Sequence, residues 1–425
     1  MIENEKFIET YREFLRFRTI SAEHRRIRET AHFIWDLLVS NGFSAQVMET
    51  DGHPVVTGSL GLGKNRTLLV YNHYDVQPVD PIDEWKSDPF SADIRDGRIY
   101  ARGSSDNKGT LVARLFGIIN AVKMGKINVN LKIIYEREEE IGSPSLEKFV
   151  NGSRDLLSSD AVIMEGSSLG EDGRPIVSLG VKGLVYAELE EEIADSDMHS
   201  SFASIAPNAA WNIIKSLSNL NENERILIPD FYDSIRPLSS EEKKLLAEYP
   251  FHEESFKESF GLKYLKYEGK DSLVKSLFCN PTFNIDGIFS EYTGEGSKTV
   301  TPRKAFAKVD FRPVPDQDPV KIYHSFIDAL RKTGFKGSVN HLGLEYPVRT
   351  SVNSMISRAM IESAKYVYNK EPIVMNNSPG TQPMALFTRN LGIKEAISAI
   401  GVGDQISRAH APNESVSIDN FFLAI

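Results

Sequence analysis

Two ionisable side chains stand at the end of a predicted buried strand. The apolar run "TLLV" is followed by "YNHYDVQP", which contains His73 and Asp75. Residues i and i+2 of a strand point to the same side, so this imidazole and this carboxylate face one way. Alone, the pair fits either a functional site or a satisfied polar pair at a strand end.

Further acids and a second histidine follow other predicted elements. "ARGSSDNKG" places Asp106 before an apolar helix, where Asp is most often an N-cap. "YEREEEIGS" places Glu139 and Glu140 directly after the buried strand "LKII", although charge runs usually mark a solvated face. "VIMEGSS" places Glu165 after another buried strand, and "SRAHAPNES" places His410 in a polar loop after the buried "EAISAIGV". Each signal is weak alone.

Taken together, these residues predict a metal site. Ligands of α/β sheets bind outside the carboxyl ends of the strands, where such side chains could converge. Gathered carboxylates repel one another, or shift their pKa values, unless a cation lies between them. Imidazole mixed with carboxylate suits zinc, cobalt or manganese, and a set without cysteine argues against a structural zinc. Two histidines with at least three acids exceed the needs of one zinc and predict two metals about 3.5–4 Å apart, bridged by one carboxylate.

Bulk properties limit the class of protein that can carry this site. The chain has 425 residues, too many for one hydrophobic core, and its 41% hydrophobic and 25% charged residues are typical of a soluble globular protein. With a net charge of −10 and no long basic run, nucleic acid is not expected as a partner. The first residues predict an amphipathic helix over 3–17 rather than a signal peptide, and no apolar run reaches the roughly 20 residues of a membrane span. We therefore expect a cytoplasmic protein without membrane contact.

The elements that must position the site alternate between helices and strands. This alternation predicts an α/β catalytic domain with a mainly parallel sheet and helices on both faces, over residues 1–183 and 348–425. Within it, "SPSLEKFV" predicts a helix with Ser143 as N-cap. Residues 184–347 read as an inserted small α+β domain with one exposed sheet face and a loop-rich polar section up to about residue 275.

An ordered set of motifs resembles a known family. The motifs are "NHYDVQP", "EWKSDPFSADIRDGRIYARGSSDNKG", "EREEEIGS", "VKG", "DMHSS", "FNIDGI", "GSKTVTPRKAFAKVDFRPVPDQDP" and "HAPNE". They resemble the dinuclear zinc metallopeptidases and deacylases that include carnosinase, glutamate carboxypeptidase, aminoacylase and succinyl-diaminopimelate desuccinylase. The likeness covers nearly the whole chain and is strongest to the carnosinase-type dipeptidases.

The resemblance implies a role for each candidate in the first domain. The first metal would be bound by His73, Asp106 and Glu165. The second would be bound by Asp106, Glu140 and His410, so that Asp106 is the bridge. The peptide bond after Asp106 is expected to be cis.

The remaining implied roles concern catalysis and substrate binding. Glu139 would be the general base, and Asp75 would orient His73. Residues 184–347 would be a lid and dimerisation domain, and His199 in "DMHSS" would reach the active site of the partner subunit in a homodimer. Arg312 would bind the substrate carboxylate, although the residue alone reads as a charge on a strand face, and Gly380 would lie in a substrate loop.

The expected activity is hydrolysis of a peptide bond, in a dipeptide or at a C-terminus, by a metal-activated water with a Glu base. The expected cofactors are two divalent metal ions per chain, zinc with cobalt or manganese as alternatives. The enzymatic alternative is an N-acyl amino acid deacylase of the same mechanism, since both cleave an amide. A catalytically inactive metal-binding scaffold is the remaining alternative, but Glu139 and the whole ligand set are present.

Overall fold

The structure is a computed structural model that describes residues 2–23, 27–166, 168–290 and 292–425. Its helices are α1 Ile2–Leu15, α2 Ile27–Ser40, α3 Lys108–Lys123, α4 Leu146–Gly152, α5 Arg154–Leu157, α6 Ala209–Ser218, α7 Ser240–Glu248, α8 Glu253–Phe260, α9 Lys270–Cys279, α10 Pro319–Lys332, α11 Met355–Tyr368 and α12 Ile418–Ala424.

The strands are numbered in chain order. They are β1 Ser44–Met48, β2 Val55–Leu60, β3 Thr67–His73, β4 Asp93–Arg95, β5 Arg98–Tyr100, β6 Asn130–Glu136, β7 Ala161–Met164, β8 Ile176–Ser178, β9 Gly180–Val181, β10 Leu184–Glu192, β11 Met198–His199, β12 Asn221–Glu222, β13 Arg225–Ile226, β14 Thr282–Ser290, β15 Val300–Thr301, β16 Lys304–Arg312, β17 Ser338–Glu345, β18 Val348–Arg349, β19 Ile373–Met375, β20 Glu395–Ala399 and β21 Ser415–Ser417.

An eight-stranded sheet forms the larger layer, in the order β1-β2-β6-β3-β7-β20-β8-β19. Its central neighbours β6, β3, β7 and β20 pair in parallel. Successive residues of β3 enter different cores: Val70 packs in the cluster with α1, α2 and α3, whereas Leu69 and Tyr71 pack in the cluster with α4 and α5. Both faces are therefore covered by helices, which confirms the predicted α/β architecture.

A second, four-stranded antiparallel sheet has the order β14-β16-β10-β17. Along β10, buried and half-buried residues alternate, as expected for a strand with one face in a core. Helices α6 and α10 cover that face through residues such as Ile213 and Phe326. This is the small α+β unit that the sequence predicted.

The section predicted to be loop-rich also contains helices. Helices α7 and α8 lie within it, and α9 begins near its end. Val274 and Phe278 of α9 pack against Ile373 and Met375 of β19, which belongs to the large sheet. Part of the predicted insert thus contacts the catalytic layer, and the boundaries 1–183, 184–347 and 348–425 stay a prediction.

Among the described residues, no helix has both the length and the apolar character needed to cross a bilayer.

Candidate metal centre

Strand ends bring the candidate residues together at one edge of the large sheet. His73 is the last residue of β3, and Glu165 follows the last residue of β7. The strand β6 ends at Glu136, beside His73, and leads into a 3-10 turn that contains Glu139 and Glu140. Because these strands are parallel neighbours, their carboxyl ends meet, as the sequence predicted.

The carboxylate of Asp106 lies between the two histidines. Its Oδ1 is 3.1 Å from His73 Nε2, and its Oδ2 is 3.0 Å from His410 Nε2. The N-cap of α3 is Asn107 rather than Asp106, so this carboxylate is not used as a helix cap. The Asp106–Asn107 peptide bond is cis, as the resemblance implied.

Asp75 links the first histidine to the acidic turn. One carboxylate oxygen lies 3.2 Å from His73 Nδ1, and the other accepts a hydrogen bond from the backbone N–H of Glu140 at 3.0 Å. The side chain of Gln77 donates to Glu140 Oε2 at 2.7 Å, and the same oxygen is 3.3 Å from His410 Nε2. The sequence had not singled out Gln77, because a lone Gln carries no signal of its own.

Glu165 and Glu139 complete the cluster on the side of His73. Glu165 Oε2 is 2.9 Å from His73 Nε2. Two groups of three residues could each hold a metal ion, because one potential ligand atom from every member lies within 4.8 Å of the others. The groups are His73, Glu139 and Glu165, and His73, Asp106 and Glu140.

The electrostatics reflect this crowding of acids. Burial, reinforced by the nearby Glu165, raises the pKa of Glu139 well above its usual value. Burial disfavours a charged imidazole at His73, but Glu165, Asp106 and Asp75 outweigh it and raise the pKa of that ring. Hydrogen bonds to Asp106 and Glu140 raise the pKa of His410 to about 10. The acids thus hold positive charge strongly at this edge of the sheet.

The residues fit two divalent cations. If Nδ1 of His73 donates to Asp75, its Nε2 lone pair faces carboxylate oxygens of Asp106 and Glu165, an arrangement that needs a cation or a proton between them. Glu140 Oε1 is buried without a hydrogen-bond partner among the described residues, and Glu165 Oε2 faces His73 Nε2 at 2.9 Å without a well-formed hydrogen bond. Such orphaned oxygens beside imidazoles suit metals that accept mixed nitrogen and oxygen ligands.

A buried glutamate that the sequence analysis did not assign holds the loop of Asp106. Glu414 Oε1 accepts the backbone N–H groups of Ser105 and Asp106, at 2.7 and 3.0 Å, and Oε2 accepts that of Gly103 at 2.9 Å. Arg102 donates to the same carboxylate at 2.9 Å, and the two side chains are 1% and 0% exposed. The available signal was the motif "HAPNE", in which Glu414 follows His410 by four positions.

The predicted substrate residues lie together at the junction of the two sheets. Arg312, at the end of β16, donates from Nη1 to Thr381 Oγ1 at 3.0 Å and from Nε to Asp310 at 3.0 Å. Gly380 is the neighbour of Thr381, and its carbonyl accepts the backbone N–H of Lys182 at 3.1 Å. The Lys182 ammonium instead donates to the Asn280 carbonyl at 2.7 Å, so it serves the scaffold.

His199 is not brought to the acidic cluster within this chain. It is exposed at the end of β11, where its Nδ1 accepts the backbone N–H of Ser201 at 3.1 Å. Its short strand pairs with β15.

Comparisons with known proteins match this architecture. A family model described as "Peptidase family M20/M25/M40" matches residues 69–425. The chain is 28% identical to the Cys-Gly metallodipeptidase DUG1 of Candida albicans, over 98% of this chain and 92% of that protein. It is 27% identical to human Beta-Ala-His dipeptidase, over 87% of this chain and 75% of that protein.

A solved structure is similar throughout. The M20 family metallo-carboxypeptidase Sso-CP2 from Sulfolobus solfataricus has 49% sequence identity and a TM-score of 0.95, and the alignment covers 98% of this chain and 96% of that one.

The anchor of the Asp106 loop yields a stability prediction. Arg102→Met should lower the free energy of unfolding by about 3–5 kcal/mol, because the buried carboxylate of Glu414 loses its ionic partner. Lys148→Met removes the exposed pair with Asp51, whose side chains are 77% and 67% exposed, and should cost less than about 1 kcal/mol. Urea unfolding of both variants measures the difference, and equal losses would contradict the assigned role of Glu414.

Proposed function

The chain belongs to the peptidase family M20/M25/M40, and from this membership we propose that it cleaves the C-terminal peptide bond of short peptides, dipeptides included. Its metallodipeptidase and metallo-carboxypeptidase relatives support metal-dependent hydrolysis of a peptide bond. The observation that carries the proposal is the position of Asp106, whose two carboxylate oxygens each face a histidine nitrogen.

Two metal ions would be held by the residues at the sheet edge. One ion would be bound by His73, Asp106 and Glu165. In this group His73 Nε2 lies 3.1 Å from Asp106 Oδ1 and 2.9 Å from Glu165 Oε2. The other would be bound by Asp106, Glu140 and His410. In this group His410 Nε2 lies 3.0 Å from Asp106 Oδ2 and 3.3 Å from Glu140 Oε2. Bound divalent ions act as Lewis acids and lower the pKa of a water molecule. The mixed ligands favour zinc, with cobalt or manganese as alternatives.

The neighbouring residues of this chain would supply the proton transfers. Glu139 lies against His73 and Glu165, so it is close enough to accept a proton from the attacking water and deliver it to the leaving amine. Asp75 keeps His73 in the tautomer whose Nε2 lone pair faces the ligand oxygens. The roles of all these residues are part of this proposal.

Recognition of the substrate would come from Arg312 and the loop of Gly380. A guanidinium can bind a carboxylate through two parallel hydrogen bonds. The Arg312 side chain is 36% exposed and already held by Asp310 and Thr381, so its orientation is fixed while part of it stays accessible. Gly380 precedes Thr381 in the chain, and its carbonyl accepts the backbone N–H of Lys182. This arrangement supports a substrate with a free C-terminal carboxylate.

A substrate panel tests the proposed activity. Dipeptides and short peptides with a free C-terminus should be cleaved, and C-terminal amides should be cleaved poorly because the partner of Arg312 is lost. N-acetyl and N-succinyl amino acids are the comparison because they test the deacylase alternative, which the dipeptidase relatives do not favour. Faster turnover of the acyl amino acids would overturn the peptidase assignment.

A cytoplasmic location and the lack of a nucleic-acid partner stay predictions.

Neighbouring glutamates give a prediction that separates catalysis from metal binding. Glu139→Ala should reduce kcat by at least about 100-fold, the contribution of a general base, while the metal content stays near that of the wild type. Glu140→Ala should lose one metal ion per chain, because it removes a ligand of the second ion. Elemental analysis after zinc reconstitution, with peptide turnover, measures both effects. If Glu139→Ala loses the metals and Glu140→Ala keeps them, the roles are reversed.

We further propose a homodimer in which His199 completes the site of the partner. Support comes from its exposed position, away from the acidic cluster of its own chain. In a two-fold dimer each subunit would contribute this histidine to the other reciprocally. A hydrogen bond from its ring to the oxyanion contributes about 2.7–4 kcal/mol in comparable hydrolases.

Mixing two inactive variants tests this dimer. His199→Ala should lower kcat with little change in metal content, and Glu139→Ala is inactive for a different reason. After subunit exchange, a mixed dimer holds one site with an intact Glu139 and the partner's intact His199, so activity should return towards roughly a quarter of the wild type. Heterodimers verified by native mass spectrometry that recover no activity would rule out the exchange of His199 between subunits.

A further inference from the structure

Loop 376–382, which carries Gly380 and Thr381, is attached to a buried ion pair outside the candidate metal centre. Arg349, at the end of β18, lies 3.1 Å from Glu242 Oε1, and the two side chains are only 7% and 12% exposed. The same guanidinium donates from Nη2 to Asn377 Oδ1 at 2.5 Å. One planar group therefore joins α7 to the first residues of the loop.

Glu242 is itself held in place by its helix. It is the third residue of α7, and its carboxylate accepts the backbone N–H of Ser239 at 2.8 Å in a capping box. Arg236 donates to both of its oxygens at 2.9 and 2.7 Å. The backbone carbonyl of Glu242 accepts a hydrogen bond from Asn376 Nδ2 at 3.1 Å, which is a second contact between α7 and the loop. The acceptor that faces Arg349 is thus fixed.

The far end of the loop meets the proposed carboxylate-binding residue. The Ser378 backbone N–H donates to the Gly180 carbonyl at 2.7 Å. Thr381 Oγ1 accepts Arg312 Nη1 at 3.0 Å and lies 3.1 Å from the Gly183 carbonyl, to which it donates. A continuous series of short contacts therefore runs from α7 through Arg349 and the loop to Arg312.

We propose that Arg349 is a positioning residue for substrate recognition. Paired with Glu242, it fixes loop 376–382 so that Thr381 holds the guanidinium of Arg312 in the orientation that receives the substrate carboxylate. The inference rests on the proposed function of Arg312. A lysine at position 349 would keep the charge beside Glu242 but cannot present two donors in a fixed fork, so the contact with Asn377 would be lost.

The KM for a dipeptide with a free C-terminus tests the proposal. Arg349→Lys should raise KM about tenfold, the loss expected for one charge-assisted hydrogen bond, and should leave kcat within about twofold. The same change in an Arg312→Met background should add little, because the group that Arg349 positions is already absent. Zinc content should equal that of the wild type in each variant.

Arg174→Lys is the control, an arginine-to-lysine change at another ion pair. The Arg174 guanidinium donates to Asp172 at 2.6 Å and takes no part in the series of contacts from α7 to Arg312. Its KM should stay within about twofold of the wild type, whatever it costs in thermal stability. If Arg349→Lys does not fold, Asn377→Ser removes the acceptor of the same hydrogen bond and should give the same rise in KM.

Each outcome separates this inference from the proposed function. If Arg312→Met raises KM but Arg349→Lys and Asn377→Ser do not, the positioning role is wrong and carboxylate recognition by Arg312 stands. Additive effects of Arg349→Lys and Arg312→Met would likewise exclude action through Arg312. If Arg312→Met leaves KM unchanged, both the recognition role and the inference built on it are wrong.

Discussion

The convergence of carboxylates at one edge of the large sheet is the constraint on which the rest of the site depends. The carboxylates of Asp106, Glu140 and Glu165 each lie within 3.3 Å of a nitrogen of His73 or His410. Like charges this close repel one another unless positive charge offsets the repulsion or one of the acids binds a proton. The parallel order of β6, β3 and β7 enforces the convergence, because the carboxyl ends of these strands lie side by side. A cation at this edge therefore stabilises what the fold assembles.

Much of this arrangement could be predicted because it follows from strand ends. The apolar runs of β3, β6 and β7 are buried on both faces, so their polarity changes abruptly where the strands leave the core. His73 and Glu165 stand at those changes, and their convergence follows from a parallel sheet alone. Position alone could not assign Asp106, since an Asp before a helix is most often a cap. Only the ordered set of motifs favoured a metal ligand over a helix cap at Asp106.

Other features were missed because their signals are local or lie between distant segments. The helix α7 begins with a capping box formed by Ser239 and Glu242, a spacing that is visible in "SSEE" but was read as part of a polar loop. The predicted cap Ser143 instead donates its hydroxyl to the buried Glu136 at 2.8 Å, and α4 begins three residues later. Glu414 binds a loop some 300 positions earlier in the chain, as the separations of 308–311 show, and periodicity cannot reveal such a contact.

Anomalous diffraction at the zinc edge, from crystals of the zinc-reconstituted protein, tests whether Asp106 bridges two metal ions. Two peaks are expected about 3.5–4 Å apart on either side of the Asp106 carboxylate. One peak should contact His73 and Glu165, and the other should contact Glu140 and His410. A single peak, or two peaks that do not share Asp106, would contradict the assignment of a carboxylate-bridged pair of metals at this edge of the sheet.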